Sequence, residues 1–75
     1  MSFNSLLIAN RGEIACRIML TAQNMGIKCI AVYVDADSNA PFVKMADEAI
    51  KLPTNYKDIV AIIEAAQKTG AEAIH

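Results

Sequence analysis

The sequence has few of the residues that often stabilise or functionalise very small proteins. It contains two cysteines, no tryptophan and one histidine among 75 residues. Two cysteines are too few for a disulfide scaffold, and Cys16 and Cys29 both lie within apolar-periodic stretches. We therefore expect reduced thiols that pack as small hydrophobic residues. A chain of this length buries only about 60% of the surface that its unfolded form exposes, so we expect a thin margin of stability.

The chain also lacks an excess of positive charge. Seven basic and eight acidic residues give a net charge of −1. Without a basic stripe, an aromatic stacking platform or zinc-ligand spacing, the sequence excludes nucleic acid as a partner. No apolar run approaches the roughly 20 residues of a membrane span, and the first five residues carry no signal for export or organelle import. The sequence therefore predicts a cytoplasmic protein without a membrane partner.

Short apolar runs alternate with helical patterns along the chain. Runs at residues 5–9 and 29–34 predict buried strands, 48–52 predicts a shorter third strand and 71–75 the beginning of a fourth. Helical segments begin near residues 13, 41 and 55. Strands that alternate with helices form parallel sheets through right-handed crossovers. The sequence therefore predicts a single domain over residues 1–75, α/β in class. We expect a Rossmann-like three-layer arrangement with a parallel sheet, truncated in its fourth strand.

The helical periods also predict which residues are buried. For the first helix the apolar spacing selects Ile14, Ile18, Ala22 and Met25, and Gly26 follows as a C-terminal glycine. For the last helix it selects Ile59, Ile62, Ile63 and Ala66, after a capping box formed by Asn55 and Asp58. Met19, Met25 and Met45 are expected to fill the core.

The first strand-to-helix turn is the strongest candidate for chemistry, and it consists of Asn10, Arg11, Gly12 and Glu13. A helix N-terminus presents free N–H groups to a phosphate, and Arg11 would assist. A dinucleotide-binding loop, however, needs three glycines where this turn has one, and the Glu13 carboxylate would repel a phosphate. A structural turn is favoured over an anion site, and both remain open.

Other polar residues carry weaker signals. Asp35 and Asp37 follow the second strand, where a Rossmann domain holds the ribose, although turn capping is favoured for both. Asp47 and Glu48 are adjacent and would point in different directions from a strand. His75 is a lone histidine for which no catalytic partner can be placed. The sequence therefore predicts no catalytic residue and no metal site.

Several blocks of the sequence together resemble a known family. They are ANRGEIACRI at 9–18, AVY at 31–33, DAD at 35–37, MADEA at 45–49 and GAEAIH at 70–75. In order and spacing they resemble the opening segment of the biotin carboxylase family. The variant EIACR at 13–17 is most similar to the biotin carboxylase (alpha) subunits of acyl-CoA carboxylases.

The resemblance implies a role within a larger ligase. Members of the family use MgATP and bicarbonate to carboxylate a biotin held on a carrier domain, and a carboxyltransferase then passes the carboxyl group to an acceptor. The ATP-binding, metal-binding and catalytic groups lie in later ATP-grasp segments. The resemblance therefore implies that residues 1–75 form an N-terminal pre-ATP-grasp domain, incomplete at its C-terminal end and inactive alone. Asn10, Arg11, Gly12 and Glu13 would act in turn formation and domain packing.

Two departures from the family pattern bear on the interfaces of this chain. The loop at 52–56 is several residues shorter than usual. On the first helix many members carry a basic residue at position 20, and some an acidic one at 24, which contribute to a dimer contact. Leu20 and Asn24 cannot form that ion pair. The candidate subunit or domain interface on this helix consists of Arg17, Leu20 and Asn24, without that ion pair. The alternative to a carboxylase segment is an autonomous nucleotide-binding module with Asp35 or Asp37 on the ribose.

Overall fold

A computed structural model describes residues 4–75. Residues 1–3, part of the N-terminal segment in which the sequence carries no targeting signal, lie outside the described residues. The strands are β1 (Ser5–Ile8), β2 (Lys28–Tyr33), β3 (Glu48–Lys51) and β4 (Ala73–Ile74). The helices are α1 (Gly12–Asn24), α2 (Pro41–Met45) and α3 (Ile59–Thr69), with a single 3-10 turn at Asp35–Asp37. All four strands are parallel, in the order β3-β2-β1-β4. The predicted α/β class and parallel sheet are confirmed.

The helices cover both faces of the sheet, which gives the three layers expected. Alternate residues of β1 point to opposite faces, so Leu6 and Ile8 pack with α1 and α2, whereas Leu7 packs with α3. The chain runs from β1 through β2 to β3 in one direction and then crosses back over the sheet to β4. When each crossover is right-handed, the helices of these two directions lie on opposite faces of the sheet. The continuous apolar runs of β1 and β2 therefore reflect burial on both sides.

The inner face of α1 differs from the predicted one. Ala15, Met19 and Ala22 are buried against the sheet, whereas Ile14 and Met25 are 63% and 71% exposed. The prediction for Ile14 and Met25 was therefore wrong, and Met25 is not core filler. The helix carries two apolar stripes, and the stripe with two alanines lets the helix backbone approach the sheet closely.

Helix α3 shows the same exchange of faces. Its buried residues are Ala61, Ile62, Ala65 and Ala66, while Ile59 and Ile63 are 69% and 45% exposed. The predicted stripe was therefore right for Ile62 and Ala66 and wrong for the other two. The predicted capping box is also wrong in part. Asp58 alone is the N-cap, and its carboxylate accepts from the Ala61 N–H at 3.0 Å.

Three smaller predictions are confirmed. Pro41 occupies the first turn of α2, where its missing N–H is not needed. Cys16 and Cys29 are free thiols, Cys29 is fully buried, and burial raises the pKa of its thiol. Met19 is buried, and Met45 packs against the same cluster.

No helix within residues 4–75 combines the length and the apolar character needed to cross a bilayer.

Met19 in α1 and Met25 at its C-cap provide a matched test of which stripe is buried. Met19→Ala removes a fully buried side chain and is expected to lower the free energy of unfolding by about 2–5 kcal/mol. Met25→Ala removes an exposed side chain, and its effect is expected to stay within about 0.5 kcal/mol. Urea denaturation followed by circular dichroism measures both. Equal losses for the two variants would contradict the helix orientation described here.

Candidate functional site at the carboxyl edge of the sheet

Parallel strands all end at one edge of the sheet, and open α/β sheets bind ligands in the crevice outside that edge, where the strand order reverses. Here the order reverses between β1 and β4. The turn that leaves β1 contains Asn10, Arg11 and Gly12, so the sequence-predicted candidate lies at the position where this fold class places ligands.

Arg11 forms a bidentate ion pair with Asp37, which follows β2. Its Nε donates to Asp37 Oδ2 at 3.0 Å, and its NH2 group donates to Oδ1 at 2.9 Å. The Arg11 side chain is 61% exposed and that of Asp37 only 13%. Paired parallel hydrogen bonds between a guanidinium and a carboxylate fix direction as well as distance. The pair therefore joins the exit of β1 to the exit of β2.

Tyr56 adds the third strand to this cluster. Its hydroxyl donates to Asp37 Oδ2 at 2.6 Å and accepts from the Val34 N–H at 3.3 Å. The Arg11 guanidinium carbon lies 5.6 Å from the centre of the Tyr56 ring, within the range of a cation–π contact. Tyr56 lies in the loop that follows β3. We call Arg11, Asp37 and Tyr56 the edge cluster.

Asn10 connects β1 to β4 across the point where the strand order reverses. Its Nδ2 donates to the main-chain carbonyl of His75 at 3.1 Å, and the Ala9 N–H donates to the same oxygen at 3.0 Å. The turn after β1 therefore contacts the exits of the other three strands through two adjacent side chains. These hydrogen bonds hold the exits of the strands together at the carboxyl edge.

The edge cluster shifts the pKa values of its members. The hydrogen bonds from Arg11, and then that from Tyr56, lower the pKa of the Asp37 carboxyl. The same partners raise the pKa of Arg11, with Asp37 the larger contributor. Burial, followed by the hydrogen bond to Asp37, raises the pKa of Tyr56. At neutral pH the cluster therefore holds one cation, one anion and a neutral phenol, and its charges cancel.

Gly12 serves the turn through its backbone. It begins α1 with φ of +66°, a left-handed conformation that residues with a side chain rarely adopt. A Cβ at this position would meet nothing within 4 Å. The left-handed backbone is therefore the feature that requires glycine here.

The remaining sequence candidates do not join the edge cluster. Glu13 is exposed on the first turn of α1, and Arg17, Leu20 and Asn24 are exposed along the helix. Asp35 pairs with Lys51 at 3.1 Å, and both side chains are exposed. Asp47 accepts from the Cys29 N–H at 2.8 Å, while Glu48 pairs with Lys28, so these two carboxylates diverge as predicted. Among residues 4–75 no cluster of three or more His, Cys, Asp or Glu side chains could hold a metal ion.

Sequence reasoning did not identify Tyr56 as a candidate site residue. It lies 19 residues from Asp37 and in a loop, so no helical or strand period connects the two residues. The available signal was weaker, namely one of only two tyrosines, placed between a strand and a helix. The structure makes Tyr56 the third member of the edge cluster and Asp37 more than a turn-capping residue.

The fold and its edge define an open parallel α/β domain of Rossmann-like topology whose own side chains occupy the usual ligand crevice. Residues 2–75 match the family described as biotin carboxylase, N-terminal domain. The chain therefore belongs to the biotin carboxylase N-terminal domain family, as the sequence resemblance indicated.

Curated relatives support this assignment along almost the whole chain. The mitochondrial propionyl-CoA carboxylase alpha chain of Caenorhabditis briggsae is 54% identical over 97% of this chain. The mitochondrial methylcrotonoyl-CoA carboxylase subunit alpha of Arabidopsis thaliana is 55% identical over 93% of it. The chain spans only 11% and 10% of the lengths of these two relatives.

Solved structures agree with the fold. The biotin carboxylase domain of the Hydrogenobacter thermophilus 2-oxoglutarate carboxylase matches all of this chain with a TM-score of 0.94 and 43% identity, over 17% of its own length. The urea carboxylase of Kluyveromyces lactis matches 96% of this chain with a TM-score of 0.93 and 52% identity, over 7% of its own length.

The ionisation of Asp37 provides a test of the edge cluster. Because its pKa is lower in the folded state than in the unfolded state, the carboxylate contributes stability above its ordinary pKa of about 4, and this contribution is lost as pH falls through the folded pKa. Asp37→Asn is therefore expected to be less stable than the parent chain at pH 7, with a gap that narrows below about pH 4.

Asp35→Asn is the matched control. It also removes one negative charge, two positions before Asp37, but that charge belongs to an exposed ion pair with Lys51. Its effect at pH 7 is expected to be within about 0.5 kcal/mol. Thermal denaturation between pH 3 and 7 measures both variants. A gap for Asp37→Asn that stays constant across this range would contradict the ion pair.

Proposed function

We propose that this chain is the N-terminal segment of the biotin carboxylase component of an acyl-CoA carboxylase. In this proposal the segment is a scaffold that forms one wall of the active-site cleft. Its membership of the biotin carboxylase N-terminal domain family supports the proposal, as do relatives with names of the propionyl-CoA and methylcrotonoyl-CoA carboxylase type. The full protein would be an ATP-dependent ligase, and these 75 residues alone would be inactive.

The self-contained carboxyl edge is the observation that carries the scaffold role. A phosphate site at α1 would need Arg11 and the crevice beside β1 to be available. Instead, both arms of the Arg11 fork bind Asp37, and Asn10 spans the crevice to the His75 carbonyl. The carboxylate that would hold a ribose is bound by Arg11 and Tyr56. These pairings support an edge that serves packing rather than the binding of MgATP or a dinucleotide.

The chemistry of the full enzyme then belongs to parts outside this segment. MgATP, bicarbonate and carrier-linked biotin would bind the ATP-grasp domains, with a carrier domain and a carboxyltransferase as further partners. The Hydrogenobacter thermophilus domain, which carries the matching segment, is described in complex with MgADP and bicarbonate. A cytoplasmic location stays a prediction from the sequence, and relatives include mitochondrial chains.

Ligand titration of the 75-residue chain tests the scaffold role against a nucleotide-binding module. With ¹⁵N-labelled protein, neither MgATP nor NADH is expected to cause saturable shifts at residues 10–13, because Nδ2 of Asn10 and two nitrogens of the Arg11 guanidinium already have partners. Saturable shifts with NADH that extend to Asp35 or Asp37 would replace the scaffold by a dinucleotide-binding module. Inorganic phosphate serves as the control for weak anion binding to exposed cations.

Transplantation tests the assignment to a biotin carboxylase. The chain would replace the matching segment of the Hydrogenobacter thermophilus biotin carboxylase domain, with which it shares 43% identity. The chimaera is expected to retain bicarbonate-dependent cleavage of ATP, because the residues of that chemistry lie outside the replaced segment. Phosphate release with and without bicarbonate measures this activity. A folded chimaera that binds MgATP but shows no bicarbonate dependence would contradict the proposed function.

A further inference from the structure

The main-chain carbonyl of His75, which directly follows β4, accepts two hydrogen bonds from the turn after β1. The Ala9 N–H donates to this oxygen at 3.0 Å, and Asn10 Nδ2 donates to it at 3.1 Å. The first bond continues the parallel ladder, in which the His75 N–H also donates to the Leu7 carbonyl at 2.9 Å. The Asn10 amide therefore adds a second bond to an oxygen that already has a main-chain partner.

This second bond contributes little to the stability of the fold. Asn10 is only partly buried, His75 is exposed, and the hydrogen bond between them is open to solvent. Where water can replace either partner, an amide–carbonyl hydrogen bond adds little to the free energy of folding. Strand β4 stays paired with β1 through main-chain bonds that do not involve the Asn10 side chain. The bond therefore acts chiefly on direction, because it fixes the peptide unit that leads away from β4.

The backbone that carries the Asn10 side chain is itself held on both sides. Ala9 before it is bonded into the ladder, and Arg11 after it is bound by both arms of its guanidinium to Asp37. Gly12 then turns the chain into α1 with φ of +66°. A side chain supported in this way is held in one geometry before any reactant arrives. The edge cluster therefore sets the position from which the Asn10 amide reaches the end of β4.

The bonded carbonyl lies at the crevice where the strand order reverses. The turn after β1 and the chain that leaves β4 border this crevice, and open α/β sheets bind their ligands there. The turn uses polar groups of Asn10 and Arg11 to bind other parts of the domain. The chain that leaves β4 is therefore the segment that can present groups to the crevice, and the Asn10 amide orients its first peptide unit.

From this geometry we propose that Asn10 is a positioning residue for the biotin carboxylase reaction, acting through the main chain that leaves β4 into the active-site cleft. The proposal rests on the proposed function, in which this domain forms one wall of that cleft. Without the amide the wall can shift, and small displacements near reacting groups lower the rate of reaction far more than they lower stability. The affected reactants are bicarbonate and biotin, since the pairings at this edge favour packing over nucleotide binding.

Steady-state kinetics of the chimaera with the Hydrogenobacter thermophilus domain test this role, because the host chain continues there from position 75. Asn10→Ala removes the amide, and Asn10→Asp keeps its shape but has no N–H to donate once ionised. With free biotin present, both variants are expected to lower kcat for bicarbonate-dependent ATP cleavage at least about tenfold and to leave KM for MgATP within about twofold.

Asn55→Ala is the matched control. It also deletes one exposed hydrogen bond between an asparagine side chain and the main chain, in which Asn55 Oδ1 accepts from the Lys57 N–H at 2.8 Å. That bond stays within a single loop, so this variant is expected to keep the rate of the unsubstituted chimaera. An equal loss of rate in Asn55→Ala would count against a specific role for Asn10.

Titration with MgADP separates positioning from damage to the fold. The Hydrogenobacter thermophilus domain is described in complex with MgADP, and the Asn10 variants are expected to bind it with unchanged stoichiometry and affinity. Unchanged rates in both Asn10 variants, or a loss of MgADP sites in proportion to the loss of rate, would overturn the positioning role and leave the proposed function intact. An unsubstituted chimaera without bicarbonate-dependent cleavage would contradict the proposed function, and the positioning role with it.

Discussion

The bidentate ion pair between Arg11 and Asp37 is the interaction on which the carboxyl edge of this domain depends. It joins the loops after β1 and β2 directly, and Tyr56 brings in the loop after β3 through the same carboxylate. Because Arg11 stays largely exposed, its guanidinium keeps much of its hydration, and the desolvation cost of the pair falls mainly on Asp37, which is 13% exposed. Its contribution lies in direction, since two parallel hydrogen bonds fix how the loops meet.

The same interaction separates this domain from nucleotide-binding domains of similar topology. A Rossmann domain leaves its helix N-terminus and its β2 carboxylate available for the pyrophosphate and the ribose. Here the Arg11 guanidinium, three positions after β1, pairs with the carboxylate, and the amide of Asn10 beside it bridges the crevice. Topology alone would suggest a ligand, whereas the Asp37 carboxylate and the Asn10 amide at this edge already bind other groups of the chain. Function in this case follows from the site and not from the fold.

Sequence reasoning succeeded where one local pattern had one structural solution. Continuous apolar runs gave the buried strands, and a lone glycine after the first strand gave the turn that Gly12 makes at φ +66°. It failed where two solutions were possible. Both α1 and α3 carry an alanine-rich stripe beside a stripe of large aliphatic residues, and a helical period does not say which one faces the sheet. The edge cluster was missed because its contacts join residues 19 and 26 positions apart, beyond the reach of any period.

The error over the helix faces has a physical meaning of its own. Exposing large aliphatic side chains to water costs free energy. A helix that packs its alanines against its own sheet leaves its large aliphatic side chains exposed, and such exposed apolar patches are typical of interaction surfaces. The exposed flanks of α1 and α3 lie on the same side of the sheet, beside β4, where Ile74 is 48% exposed. The domain is thus closed at its carboxyl edge, where its polar side chains bind one another, and apolar along β4.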